Sequence, residues 1–248
     1  MLPKKLPPFF KYFGSKYRIG AKYPQPEYDV IIEPFAGAAG YSLNHYQKNV
    51  ILYDLDPIIC GVWDYLIKAE PKDILRLPTA FDDIRNLTGI CQEERWLMGF
   101  WVNNSSRPCN VPGAWMKDGT CPGSFWGERK KESIVSHLQY IKHWKIKNCS
   151  YENIPNEDPA CWFIDPPYQE AGKHYTCGSS GIDFVQLGKW CMERNGQYIV
   201  CEAEGADWLE FKPFLIAQAT PGKYRKKISK EVIFTNSNIQ QNLEEFLK

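Results

Sequence analysis

DVIIEPFAGAAGYSLNHYQKNVILYD, residues 29–54, decides the fold. DVIIEP (29–34) is a short β-branched run that ends in proline, as a buried strand does. FAGAAG follows as a glycine-bearing turn, SLNHYQKN predicts a helix, and NVILYD (49–54) reads as a second strand. DPIICGVWDYLIKAE (56–70) then carries apolar residues at helical spacing, with Asp56 and Pro57 suited to the cap and first turn. Strand, helix, strand, helix argues for a parallel sheet with right-handed crossovers.

Downstream, the α/β pattern resumes after an interruption. Residues 100–128 are rich in Gly, Pro, Asn and Ser, yet hold Trp101, Trp115, Phe125 and Trp126. A long irregular stretch inside a domain is usually functional. A helix is expected at about 129–143, a strand at 161–165 and a helix at 183–195. Strands are expected at 196–205, 212–219 and 230–236, the last two as an antiparallel hairpin at the sheet edge. The expected organisation is a catalytic region 1–99, a recognition insert 100–130 and a second catalytic region 131–248.

Composition narrows the function. The chain has 248 residues and 44% hydrophobic residues, enough for one α/β domain with a modest insert. Nine cysteines, without a CxxC pair, argue against a zinc or disulfide framework and fit a reduced, cytoplasmic setting. No apolar run approaches a membrane span, and the N-terminus does not read as a signal peptide. The net charge is +1, but the basic residues gather. Lys4, Lys5, Lys11, Lys16, Arg18 and Lys22 form one cluster, Arg129, Lys130 and Lys131 a second, and Lys223, Arg225, Lys226, Lys227 and Lys230 a third. Together they predict a positive face for a polyanion.

The motifs name the chemistry. EPFAGAAG (33–40) has Phe35 where a pyrophosphate-binding turn has its first glycine. It suits a ligand with an adenosine and an amino acid but no phosphate, and disfavours a nicotinamide cofactor. Asp54 ends the second strand, where a carboxylate accepts both hydroxyls of a ribose. IDPPYQ (164–169) follows a strand and so lies at the carboxyl edge of the sheet. Pro166 and Pro167 stiffen the backbone and remove two donors. The Asp165 carboxylate and the Pro166 carbonyl remain as acceptors beside the Tyr168 ring. Two acceptors can grip both N–H groups of an exocyclic amine, and an aromatic face can stack a base rotated out of a duplex.

FFKYFGSKYRIG, EPFAGAAGYSLN, YDLDP and DPPY, in this order, resemble the Dam-type DNA adenine-N6 methyltransferases. The resemblance implies a Rossmann-like methyltransferase fold, a mostly parallel twisted sheet with an antiparallel C-terminal hairpin. It implies S-adenosyl-L-methionine as methyl donor and no metal. By resemblance, Tyr12, Lys16, Glu33, Phe35, Gly37, Asp54 and Asp165 form the donor site, with Lys16 on the donor's carboxylate, Asp54 on its ribose, and Glu33, Phe35 and Gly37 on its methionine side. Asp165, Pro166, Pro167 and Tyr168 are the expected catalytic segment. Arg107, Arg129, Lys130, Lys131, Lys226 and Lys227 are the expected nucleic-acid contacts. The chain departs from the family in Gly14-Ser15-Lys16, where Gly-Gly-Lys is usual, in Ala39, and in a middle region that aligns with no known recognition domain.

The expected partner is double-stranded DNA, with a restriction endonuclease as a candidate companion, no membrane, and a monomeric, bacterial or phage-encoded enzyme. Cytosine N4, an RNA adenine, or a catalytically dead nucleic-acid-binding relative are the alternatives. No Pro-Cys pair stands where cytosine C5 chemistry needs one, and the four histidines form no cluster. His174, just after DPPY, is a candidate for the border of the base pocket.

Overall fold

Strand β1 (Val30–Glu33) is the pivot of a seven-stranded sheet. The computed structural model describes residues 3–103, 107–117, 123–170, 179–218 and 228–237. The other strands are β2 (Asn49–Asp54), β3 (Lys145–Asn148), β4 (Ala160–Ile164), β5 (Gly196–Ala203), β6 (Lys212–Gln218) and β7 (Ile228–Thr235). Their order is β3-β2-β1-β4-β5-β7-β6. β1 runs parallel to β2 and β4, β2 to β3, and β4 to β5, while β7 is antiparallel to β5 and β6. The mostly parallel sheet with an antiparallel C-terminal hairpin is therefore present. Every residue of β4 is buried, as a central strand covered on both faces requires.

Alternation along the strands divides the core. Ile31, Phe163 and Ile199 pack on one face, and Ile32, Trp162 and Val200 on the other. The first face is covered by helix α1 (Pro57–Lys68), whose Ile59, Val62, Trp63 and Leu66 are buried at helical spacing. Asp56 caps it, its Oδ1 accepting from the Ile58 amide at 2.9 Å. Trp63 meets Phe9 and Phe10 edge-on at 5.9 and 5.4 Å, so the N-terminal FF segment is core rather than tail.

The remaining helices are α2 (Pro71–Leu75), α3 (Gln92–Trp101), α4 (Ala114–Lys117), α5 (Glu128–Leu138) and α6 (Phe184–Met192). α6 begins at the Asp183 cap, close to where the sequence puts it. The helix expected after the glycine turn is not formed. Only a single 3-10 turn, Ser42–Asn44, appears there. The crossover to Asn49 is short, and the Ser42 amide is taken by the Glu33 side chain at 2.8 Å instead of by a helical carbonyl.

The described part of 100–128 folds back on α3. Cys109 N donates to Gly99 O at 3.0 Å, Gly113 N to Val102 O at 3.0 Å, and Trp126 N to Trp101 O at 3.2 Å. Trp101, Phe125 and Trp126 are buried, and the indole N–H groups of the two tryptophans donate to Phe9 O and Pro78 O. These three aromatics pack into the fold.

Candidate active site

A pocket of about 520 Å³ opens at the carboxyl ends of β1, β2 and β4. Tyr12, Lys16, Glu33, Phe35, Gly37, Asp54 and Asp165 all line it, so the structure brings together every residue expected at the donor site. Parallel sheets place ligands at this edge because successive strand ends leave a crevice there.

The glycine turn is shaped by its neighbours. Gly37 has φ +43°, in the left-handed region. Its amide donates to Asp54 Oδ2 at 2.9 Å and its carbonyl accepts from the Trp63 indole at 2.8 Å. A side chain there would meet the Tyr12 ring at 3.0 Å. Gly40 admits the N-terminal segment in the same way, since a Cβ would stand 2.5 Å from Tyr17 N and 2.7 Å from Lys16 N. Ala39 takes φ +50°, which a non-glycine residue adopts at some strain.

The pocket acids are desolvated. Asp54 Oδ1 accepts from the Asp56 amide at 2.9 Å, so each of its oxygens already holds one backbone N–H. Each keeps a second lone pair for a hydroxyl. Burial lifts the Asp54 carboxyl to about 6. Burial lifts Glu33 further, to about 8, against the Ser42 hydrogen bond that opposes it. Phe35 lies 5.4 Å from the Tyr151 ring across the pocket wall.

Lys16 does not point into open space. Its Nζ donates to Asp165 Oδ1 at 2.8 Å, to Asp165 Oδ2 at 3.0 Å and to Gly14 O at 3.2 Å, and it lies 4.7 Å from the centroid of the Tyr168 ring. Burial alone lowers a lysine, but the Asp165 and Glu231 carboxylates outweigh it and hold the ammonium above its ordinary value. Burial likewise raises the Asp165 carboxyl, with Lys16 pulling it back. Asp165 and Pro167 face the pocket; Pro166 is buried, and the Tyr168 hydroxyl donates to Glu231 Oε2.

Two acids were not legible as site residues. Glu231 on β7 takes the Tyr168 hydroxyl, and Glu202 on β5 accepts from the Gln169 amide at 3.0 Å and the Trp208 indole at 3.1 Å. Each stands in a strand that also carries other polar residues, Lys230 beside Glu231 and Gln197 in β5, so no local pattern marks either.

The basic clusters are partly joined. Lys11 Nζ lies 5.6 Å and Lys130 Nζ 3.8 Å from the Trp101 ring, and Lys11 is 3.9 Å from the Phe125 ring. The first and second clusters therefore meet at one aromatic floor. Arg107 and Arg129 are exposed. Lys131 is buried and paired with Glu128 at 3.2 Å, so it is not presented at the surface as the sequence suggests. Lys226, Lys227 and His174 lie outside the described residues. Among the described residues, no group of His, Cys, Asp and Glu could hold a metal, and no helix is long and apolar enough to cross a membrane.

No protein-family model matches the chain, and no curated protein matches it in sequence. Among solved structures, a conserved hypothetical protein of Streptococcus pyogenes is similar with a TM-score of 0.36 and 10% identity, over 91% of this chain and 95% of that one. A candidate methylase of Haemophilus influenzae, HI0767, is similar with a TM-score of 0.33 and 12% identity, over 84% of this chain and 86% of that one. Likeness of that order bears on neither reaction nor substrate.

Proposed function

We propose that the chain is an S-adenosylmethionine-dependent methyltransferase that acts on the N6 amine of an adenine rotated out of duplex DNA. One observation carries the reading: Asp165 and Pro167 open onto the same pocket as the Gly37 turn and Asp54. An acceptor segment for an amine and a cradle for a nucleoside thus share one cavity.

The residues divide the work. Asp54 offers its remaining lone pairs to the ribose hydroxyls. Phe35 and Tyr151 supply the apolar wall, and Glu33 sits buried where an amino group on the ligand would find a carboxyl. The donor, when bound, supplies an electrophilic methyl group. Asp165 and the Pro166 carbonyl accept the two N–H groups of the target amine, which favours a tetrahedral nitrogen with its lone pair aimed at the pocket. Tyr168 gives the base a face to stack on. The grip tightens as nitrogen becomes tetrahedral, so it acts on the transition state more than on the ground state.

The 100–130 segment fits a recognition role. It carries the exposed Arg107 and Arg129, and Lys130, which shares the Trp101 ring with the N-terminal Lys11; together they make a set that could bind the phosphates of double-stranded DNA. A restriction endonuclease is the companion such an enzyme would protect against. Incubating the protein with labelled donor and mixed-sequence duplex, then analysing nucleosides, tests the assignment. N6-methyladenine is the expected product; methylcytosine, or no transfer, overturns it.

A further inference from the structure

Lys16 engages both Asp165 oxygens, at 2.8 and 3.0 Å; each keeps a second lone pair, so an incoming amine shares the carboxylate with the ammonium and competes with it for the same charge. Loosening the ammonium has a cost, because Lys16 is 5% exposed and a buried charge left alone is strongly unfavourable. A second carboxylate within reach offsets that cost, and Glu231 supplies it. Its Oε2 lies 3.9 Å from Lys16 Nζ and also accepts the Tyr168 hydroxyl. It is itself buried, on the strand paired with β5, opposite Ala203. Asp165, Lys16, Glu231 and Tyr168 therefore close a ring beneath the acceptor segment.

We infer that Glu231 is a positioning residue for the amine chemistry, orienting the Tyr168 ring through its hydroxyl and sharing Lys16 with Asp165 when the target amine approaches the Asp165 carboxylate. The inference rests on the function proposed above. Glu231 touches neither donor nor amine in this arrangement. It acts through Tyr168 at one end and Lys16 at the other. Neighbouring Glu202 holds the next turn of the same loop through the Gln169 amide, so the loop is tied to both β5 and β7.

The test compares Glu231→Gln, Glu231→Ala, Tyr168→Phe and the Glu231→Ala/Tyr168→Phe double variant. Donor affinity is read by calorimetry and methyl transfer by single turnover on duplex DNA. Glu231→Gln keeps an acceptor for the phenol but removes the carboxylate charge that shares Lys16 with Asp165. The expected result is donor affinity within about twofold of wild type and a transfer rate at least about tenfold lower, with Glu231→Ala slower still. The double variant should be scarcely slower than Glu231→Ala, because residues acting as a unit are not additive. Fully multiplicative losses, a wild-type rate in Glu231→Gln, or donor affinity falling as far as the rate would each overturn the inference. If the Glu231 variants do not fold, Tyr168→Phe carries the test alone: unchanged transfer overturns the role assigned to Glu231. A wild-type protein that transfers no methyl group overturns the functional reading instead, and the inference with it.

Discussion

The Lys16 ammonium bridges both carboxylate oxygens of Asp165, across 149 residues of sequence. The N-terminal motif and the DPPY segment are thus one electrostatic unit. Sequence resemblance gives Lys16 to the donor's carboxylate; in the structure its ammonium lines the pocket and pairs with Asp165. Lys16 is the principal group that favours the charged form of Asp165 against burial.

Removing Lys16 should therefore be read in the pH dependence of transfer. Asp165 must be ionised to accept an amine hydrogen. Without the lysine, burial loses its main opponent and the Asp165 carboxyl rises further. The acid limb of the rate profile of Lys16→Ala should move to higher pH, because the opposite charge that favours the ionised carboxyl is gone. An unmoved acid limb, with donor affinity alone reduced, would return Lys16 to the donor's carboxylate.

Asp165→Asn separates chemistry from binding. It keeps the shape and one acceptor oxygen, removes the charge that Lys16 pairs with, and adds a competing donor. Transfer should fall on the order of 10²-fold or more, the scale of a preorganised electrostatic contact, with donor affinity little changed. Tyr168→Ala removes a stacking face worth roughly 1–3 kcal/mol, so weaker capture of the base and a partial loss of rate are expected. Single-turnover rates against DNA concentration distinguish the two. Full activity in Asp165→Asn would remove the acceptor mechanism.

What was legible in the sequence is what local patterning encodes. β1, the glycine turn, β2 and the Asp56 cap of α1 each declare themselves within a few residues, and the pocket forms where their ends meet. β3 does not, because KIKN is an edge strand with three of its four residues exposed and so no apolar stripe. α3 was hidden at the border of the irregular stretch, into which its last turn runs. Glu231 and Glu202 were invisible for another reason. Their roles exist only where β5 and β7 meet the loop after β4, a contact no local pattern reports.

The meeting of Lys11 and Lys130 over Trp101 predicts a salt effect. If both ammonium groups contact phosphates, each contact releases counterions and contributes about 0.9 to the slope of log affinity against log salt. Replacing both by alanine should weaken binding to duplexes of any sequence and reduce that slope by roughly 2. Fluorescence anisotropy over a salt series measures it. An unchanged slope would leave the two lysines as packing on an aromatic floor.

Glu33 links the pocket to stability. Its carboxyl is buried, and its value rises from 4.5 to about 8 on folding. The folded state therefore holds its proton more tightly than the unfolded chain. The stabilisation is fully present below pH 4.5, declines as pH rises and is gone above about 8, at up to about 1.4 kcal/mol per pH unit. Glu33→Gln has no such dependence, yet its amide oxygen can still accept from the Ser42 amide, as Glu33 Oε1 does at 2.8 Å. Asp54, lifted to about 6, titrates in both proteins and cancels in the comparison. Urea unfolding of the two proteins at several pH values between 5 and 8 should show the variant gaining on wild type throughout, by a few kcal/mol in total. A stability difference that stays constant across that range would mean Glu33 is ionised in the folded pocket, and would remove the buried proton from any account of how the pocket receives an amino group.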